Sequence, residues 1–283
     1  MTLSQIALLA LIQGAAELLP VSSSAHVIAA EKLMGLDPAA PDMTFFLVML
    51  HTGTMFAVLV YFWKRWLRLF QANPSFLRWV AIATLVTGIV GMALKEIIEK
   101  GILVHLLGHS KGEVESLFRV LPLVAASLFV VGIYILFAGK RPSHVTKREL
   151  SDRDAASIGL IQALCLPFRG LSRSGATIST ALIRGIARPV AEDFSFALAV
   201  VLTPPVILLE LRRLLKAGTE HPALHLHDLL PLLQPGMIGM VLSFGSGLLA
   251  LRWLSAWLEG GKWSWFGYYC IVASAAVMLL AWL

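Results

Sequence analysis

Six apolar runs, each close to the length of a membrane span, limit this chain more than any other feature. They cover about Thr44 to Trp63, Trp79 to Leu94, Leu117 to Ala138, Phe194 to Leu211, Leu229 to Trp253 and Trp265 to Leu283. About 20 apolar residues cross a bilayer as a helix. Lipid offers the backbone no hydrogen-bond partner, so runs of this length must pair their own backbone groups as helices. The expected fold class is therefore an all-α polytopic membrane protein. A composition of 58% hydrophobic and 14% charged residues excludes an ordinary soluble domain. The net charge of +6 sits at the ends of apolar runs, which points to basic loops on anionic lipid and to no nucleic-acid partner. Cys165 and Cys270 lie in apolar segments and read as small buried hydrophobes, not as a disulfide or metal framework. The N-terminus lacks a basic leader, so no cleavable signal peptide is expected.

Two further apolar stretches are too short to span. Leu3 to Leu19 carries Gln13 and Glu17 and ends at Pro20; after Val21-Ser-Ser-Ser-Ala-His26 the chain is apolar again to about Leu33. Short pieces also run from Ala155 to Leu166 and from Ala176 to Ala187, around Pro167-Phe-Arg-Gly-Leu-Ser-Arg-Ser-Gly-Ala-Thr177. Two short helices meeting at a polar turn make a re-entrant hairpin, tolerated at membrane depth only inside protein or around a water-filled cavity.

The chain thus reads as a hairpin plus three spans, twice. Residues 1–138 form a first repeat with its hairpin at 1–33, residues 139–154 a basic linker, and residues 155–283 a second repeat with its hairpin at 155–187. The residues repeat as well. Ile12-Gln13, Pro20 and Ser22-Ser23-Ser24 resemble Ile161-Gln162, Pro167 and Ser172-Arg173-Ser174, with Ser22 and Ser172 150 positions apart. Asp42-Met-Thr-Phe resembles Asp193-Phe-Ser-Phe at a separation of 151.

Three spans per repeat is an odd number, so the second copy enters the membrane from the opposite side, which makes an inverted-topology duplication. The loop from Lys64 to Arg78 carries Lys64, Arg65, Arg68 and Arg78 with no acid, and the linker carries Lys140, Arg141, Lys147, Arg148 and Arg153. Both are expected on the cytoplasmic side, with the mixed-charge loop from Lys95 to Ser116 outside. Arg212, Arg213 and Lys216 run against this assignment, since it places them outside.

The polar residues of the two hairpins form the candidate site. Gln13 and Glu17, four apart, project from one helix face, and the turn after them supplies Ser22, Ser23, Ser24 and His26. Arg173 brings a planar fork that suits phosphate oxygens; Ser172, Ser174 and Thr177 add hydroxyls, and the helix start after Gly175 adds backbone N–H groups. A carboxylate at membrane depth is costly and is usually functional or paired. Duller readings exist for each piece: the serines as helix caps, Glu17 and Arg173 as a structural ion pair, His26 as a packing residue. Their coincidence in matching hairpins favours phosphoryl transfer, with Arg173 and a divalent cation neutralising developing charge.

Gln13-x-x-x-Glu17 with Leu19-Pro-Val-Ser-Ser-Ser-Ala-His26 resembles the (E/Q)xxxE and PVSSxxH signature of the BacA-type undecaprenyl-diphosphate phosphatases. Gly170-Leu-Ser-Arg-Ser-Gly-Ala-Thr177 resembles their PGxSRSxxT signature, and the resemblance covers essentially the whole chain. It implies removal of the terminal phosphate from undecaprenyl diphosphate to regenerate the monophosphate lipid carrier of cell-wall synthesis, with bacitracin resistance when the enzyme is abundant. It implies a multi-pass protein of the bacterial inner membrane with its site open to the periplasm, a Mg²⁺ or Ca²⁺ cofactor, a polyprenyl diphosphate substrate within membrane lipid, and compatibility with a homo-oligomer. Carried onto this chain, Glu17 binds metal or serves as acid and base with Gln13 beside it, Ser23 is nucleophile or phosphate ligand, His26 is the base and Arg173 the phosphate clamp. Ser22, Ser24, Ser172, Ser174, Thr177 and Arg169 are the further phosphate ligands.

The chain departs from the pattern in places. Arg169 stands where the pattern has proline, adding a second cation or an interfacial anchor. Tyr268-Tyr269 stands where a Tyr-Arg pair is common, and Gln13 takes the neutral option of its position. A rival of another class is a lipid-phosphate transporter or flippase, which would use the same anion site without hydrolysis. An acid phosphatase of the lipid-phosphatase type is weaker, because no second His follows Ser172-Arg173-Ser174 at helical spacing.

Overall fold

The computed structural model describes residues 1–38, 40–100, 117, 120–140, 149–220, 226–258 and 262–282, which form ten α-helices. They are α1 (Leu3–Leu18), α2 (Ser23–Leu33), α3 (Pro41–Ala72), α4 (Ser75–Glu96), α5 (Leu121–Gly139), α6 (Asp152–Cys165), α7 (Arg173–Ile183), α8 (Arg188–Glu220), α9 (Leu226–Leu258) and α10 (Trp263–Leu280). Two short helices and three long ones thus occur twice in order. Six of the long helices are apolar enough to cross a membrane.

Local chemistry sets the hairpin boundaries. Thr2 and Gln5 form a capping box at the start of α1. The helix stops at Leu19, whose extended backbone (φ −84°, ψ 149°) is what a residue before proline prefers. Ser151 and Asp154 make the equivalent box for α6, which therefore begins at Asp152 and takes in the last three residues of the expected linker. Between α6 and α7, Gly170 has φ +104°, and a Cβ there would lie 2.4 Å from the Val124 carbonyl oxygen, so only glycine fits.

The long helices outrun their apolar cores, which corrects the expected loop at Lys64 to Arg78. Helix α3 continues through Lys64, Arg65 and Arg68 to Ala72, because Lys, Arg, Leu and Gln are good helix formers and the first breaker is Asn73-Pro74. Only that short turn separates α3 from α4. Helix α8 likewise starts at Arg188, ahead of the expected Phe194, and carries Pro204 and Pro205 inside it. Residues 101–116 of the expected outer loop and residues 141–148 of the linker lie outside the described residues.

Helix α3 packs on α8 and α9, α5 on α10, α4 on α6, and α1 on α9. If each helix is exchanged with the one five places along, the pair α1/α9 becomes α6/α4, α5/α7 becomes α10/α2, and α3/α8 and α5/α10 map onto themselves; all of these pairs pack. Close approach relies on small residues: a Cβ on Gly53 of α3 would lie 2.2 Å from the Met240 carbonyl oxygen of α9.

Ion pairs gather at one end of the bundle. Arg78 at the start of α4 meets Asp152 at the start of α6. Arg184 after α7 meets buried Asp154, and Arg65 near the end of α3 meets Asp193 of α8 at 2.8 Å. Helices α6 and α7 therefore enter from this end and return to it. Helices α1 and α2 instead share an apolar cluster with the start of α3 through Ile6, Leu9, Val27, Met43, Phe46 and Leu50.

Candidate active site

The two hairpin turns meet. Glu17, near the end of α1, receives Arg173 Nη2 on Oε1 at 2.9 Å. Its Oε2 accepts from Gln13 Nε2 at 3.0 Å and from the Ser23 hydroxyl, and lies 3.5 Å from His51 Nε2. The i, i+4 spacing places Gln13 beside Glu17, as the sequence pattern predicts. The turn at Leu19 and Pro20 folds α2 back so that Ser23, its first residue, faces the same carboxylate. Arg173 is the first residue of α7, and its Nη1 also donates to the Ser195 carbonyl of α8 at 3.3 Å. With side chains 15% and 19% exposed, Glu17 and Arg173 are mutually compensated yet reachable.

Around this pair lies a cavity of about 250 Å³, whose polar side is formed by Glu17, Ser22, Ser23, Ser24, His51, Arg169, Ser172, Arg173 and Ser174. Leu47, Val48, Leu166, Ala199, Leu202 and Val206 add apolar lining, beside Thr44 and Thr203. Leu166 and Val206 are also about half exposed on the molecular surface, so the cavity grades from cations and hydroxyls to lipid-facing hydrocarbon.

The hydroxyls have distinct tasks. Ser172 caps α7 by accepting from Gly175 N at 3.1 Å. Ser174 donates to the Leu19 carbonyl at 3.2 Å, and Gly170 N donates to Ser24 Oγ at 3.4 Å, so each turn is tied to the other. Thr177 lies behind the site: it donates to the Arg173 carbonyl at 2.8 Å and meets Ser195 Oγ at 2.7 Å. The three-serine turn is shaped without a side-chain cap, and Ser22 adopts a left-handed conformation (φ 64°) that is rare outside glycine.

His26 faces elsewhere. Its Nδ1 lies 2.8 Å from the Ser22 carbonyl and its Nε2 lies 2.7 Å from the Tyr269 hydroxyl. The first contact requires a proton on Nδ1, so a neutral His26 accepts from Tyr269 through Nε2. The group on the Ser23 hydroxyl is Glu17. Tyr269, the residue that replaces the pattern's arginine, thus holds His26.

Sequence reasoning missed His51 and Ser195. His51 Nδ1 lies 2.7 Å from the Leu47 carbonyl, which turns Nε2 toward Glu17. An ionisable residue within an apolar run was the available signal for His51; nothing marks Ser195, whose carbonyl and hydroxyl both serve the Arg173 turn. The two hairpins are also not equivalent. The position matching Glu17 at the Gln13-to-Gln162 separation is Leu166, and that matching Arg173 at the Ser22-to-Ser172 separation is Ser23. One copy gives the carboxylate and the other the guanidinium.

Fold and site together define a polytopic helical membrane protein with a charged, hydroxyl-lined centre between two helical hairpins. Residues 6–276 match the family model described as bacitracin resistance protein BacA. The chain is 53% identical, over 99% of its own length and 99% of the relative's, to a protein of Acinetobacter baylyi named undecaprenyl-diphosphatase 2. It is 35% identical to an undecaprenyl-diphosphatase of Gluconacetobacter diazotrophicus, over 97% and 95% of the two chains, and 30% identical to one of Bdellovibrio bacteriovorus, over 96% and 94%. The chain belongs to the BacA family.

Proposed function

We propose that this protein is an undecaprenyl-diphosphate phosphatase, releasing inorganic phosphate and leaving undecaprenyl phosphate in the membrane. The observation that carries the reading is the Glu17–Arg173 pair with the Ser23 hydroxyl bonded to Glu17, on a cavity lined by both polar and apolar side chains. Ser23 Oγ attacks the terminal phosphorus as its proton passes to Glu17. The bond between that phosphorus and the bridging oxygen breaks, and the lipid monophosphate leaves with the electron pair. Water then hydrolyses the phosphoserine. Arg173 grips the terminal phosphate through its fork and stabilises the charge that builds on its oxygens. Arg169, Ser22, Ser24, Ser172 and Ser174, which line the same cavity, complete the phosphate shell, and its apolar lining residues take the first prenyl units.

Among the described residues no group of three or more His, Cys, Asp or Glu side chains could hold a metal ion. A cation shared with the substrate fits better: Glu17 offers carboxylate oxygen, and Gln13 Oε1 is buried without a hydrogen-bond partner. Mg²⁺ or Ca²⁺ is bound by few protein oxygens when substrate phosphates and waters supply the rest. When bound there, the cation supplies charge neutralisation for the leaving phosphate.

The membrane orientation belongs to the same reading. The basic residues Lys64, Arg65, Arg68 and Arg78 belong to the end where Arg78 meets Asp152 and Arg65 meets Asp193. With that end cytoplasmic, α6 and α7 enter from the cytoplasm, α1 and α2 from the periplasm, and the site of this bacterial inner-membrane protein opens to the periplasm. The transporter reading makes a different forecast. Purified protein is expected to release one phosphate per undecaprenyl diphosphate in Mg²⁺ or Ca²⁺, to stop on chelation, and to lose release in Ser23→Ala. Tight binding of the lipid without release would reject hydrolysis.

A further inference from the structure

The last helix of the second repeat grips the serine turn of the first. Among the described residues Ser22 is the single non-glycine residue with a positive φ, at 64°, and its side chain does not cap the helix that starts after it. A left-handed serine is strained and persists only where its surroundings hold it. Two neighbouring residues of α10 do so. The Cys270 thiol donates to the Pro20 carbonyl at 3.5 Å, at the start of the turn. The Tyr269 hydroxyl lies 2.7 Å from His26 Nε2, and His26 Nδ1 reaches the Ser22 carbonyl at 2.8 Å. The two rings stack nearly parallel, with centres 5.6 Å apart.

These contacts fix a tautomer as well as a place. Nδ1 must carry the proton to donate to Ser22, so Nε2 presents a lone pair, and the Tyr269 hydroxyl is a neutral donor that satisfies it. Deleting that hydroxyl frees the other tautomer, whose Nδ1 would set a lone pair against the Ser22 carbonyl oxygen. The device recurs in the duplication. Gly132-Ile-Tyr134 of α5 matches Gly267-Tyr-Tyr269 of α10. The two glycines cross, a Cβ on Gly267 lying 2.8 Å from the Gly132 carbonyl oxygen, and the Tyr134 hydroxyl meets Thr180 Oγ1 of α7 at 2.9 Å. The last helix of each repeat thus sends a tyrosine from the crossing point to the second hairpin helix of the other repeat. Thr180 lies well inside α7, whereas His26 acts on the residue just before Ser23, so the α10 tyrosine is the one that bears on the reacting hydroxyl.

We propose that Tyr269 is a positioning residue for the nucleophile: through His26 it holds the Ser22 carbonyl, and with it the left-handed turn that sets the Ser23 hydroxyl on Glu17. This rests on the reading of Ser23 as the attacking group. The histidine of the signature then has a task other than that of base, and so does the tyrosine that replaces the pattern's arginine. Arg173 and Glu17 are untouched by this contact, so its loss slows the chemical step and spares substrate binding.

The test uses the full-length protein in detergent with farnesyl diphosphate as a soluble substrate. Tyr269→Phe removes one hydroxyl from a half-exposed ring and is expected to fold normally. Its kcat is expected to fall about tenfold, the scale of one neutral hydrogen bond, with KM within about twofold. His26→Ala loses both contacts and is expected to fall about 30-fold. His26→Asn keeps an N–H donor for the Ser22 carbonyl but cannot act as a base, and is expected to recover most of that loss. Glycine takes a positive φ without strain, so in a Ser22→Gly background Tyr269→Phe is expected to cost less than about twofold. An unchanged kcat in Tyr269→Phe would overturn the proposal. So would equal losses in His26→Ala and His26→Asn, which would make His26 the base, or an undiminished loss beside Ser22→Gly. Wild-type protein that releases no phosphate would sink the hydrolase reading alone. Nitrogen NMR of protein labelled in its histidine rings would still judge the hold on the turn: the signal missing in His26→Asn is expected to shift in Tyr269→Phe, and a signal that stays in place refutes the contact.

Discussion

Glu17 is held by Gln13, Ser23 and Arg173, with His51 within 3.5 Å. Such density of donors on one carboxylate fixes its two oxygens in different roles. Oε1 faces Arg173 and orients its fork; Oε2 faces Ser23 and is placed to take its proton. Arg173→Lys keeps the charge but loses the planar fork that reaches Glu17 and Ser195 together, so phosphate release is expected to fall about 100-fold with the fold intact. Near-normal turnover in a steady-state phosphate assay would make Arg173 a structural residue. Glu17, Ser23 and Arg173 were legible in the sequence because charge and hydroxyls are rare in apolar runs. The bond from His26 to Tyr269 was not, since it joins residues 243 positions apart and leaves no local pattern.

At the scale of the helix, the hairpins were readable from length and from Pro20, and their caps sharpened the boundaries. What the pattern hid is divergence between the copies. Gln13 serves Glu17, whereas its repeat partner Gln162 donates to Thr87 of α4 at 3.0 Å and fastens α6 to that helix. Matching residues therefore did not imply matching tasks. The base of the second hairpin carries its own electrostatic clasp, Asp154 with Ser151 and Arg184, outside the spanning segments. Burial pushes the Asp154 carboxyl up, but hydrogen bonds from Ser151 and Arg184 and the Arg184 charge bring it below the ordinary aspartate range. A carboxyl whose pKa falls on folding adds stability above its unfolded value of about 3.9 and loses it as pH drops through the lowered one. Asp154→Asn is expected to cost about 2 kcal/mol at pH 7, less than for a fully buried pair because the Arg184 side chain is 35% exposed. Thermal melts from pH 7 to pH 3 should show the wild-type advantage shrinking at the acid end. A gap that stayed constant with pH would mean that the Asp154 charge contributes nothing.

For the molecule as a whole, the sequence carried the hairpin-plus-three-spans order and the class of protein, while the pairing of helices needed coordinates, because nothing in an apolar run says which neighbour it meets. The basic segments were legible as loops only by charge; helix propensity carried α3 through one of them. Their sidedness is open to direct labelling. With Cys165 and Cys270 replaced by alanine, cysteines at the exposed positions Ser75 and Arg153 are expected to react in intact cells with a membrane-permeant maleimide and not with an impermeant one. Labelling of either by the impermeant reagent would reverse or break the inverted arrangement. The central claim is that two hairpins, neither sufficient alone, build one site. Phosphate release by Glu17→Gln, Arg173→Gln and the double variant tests it most directly, since groups that act as a unit fail together. The double variant is expected to be no slower than the slower single one; losses that multiply would mean that the two hairpins act separately.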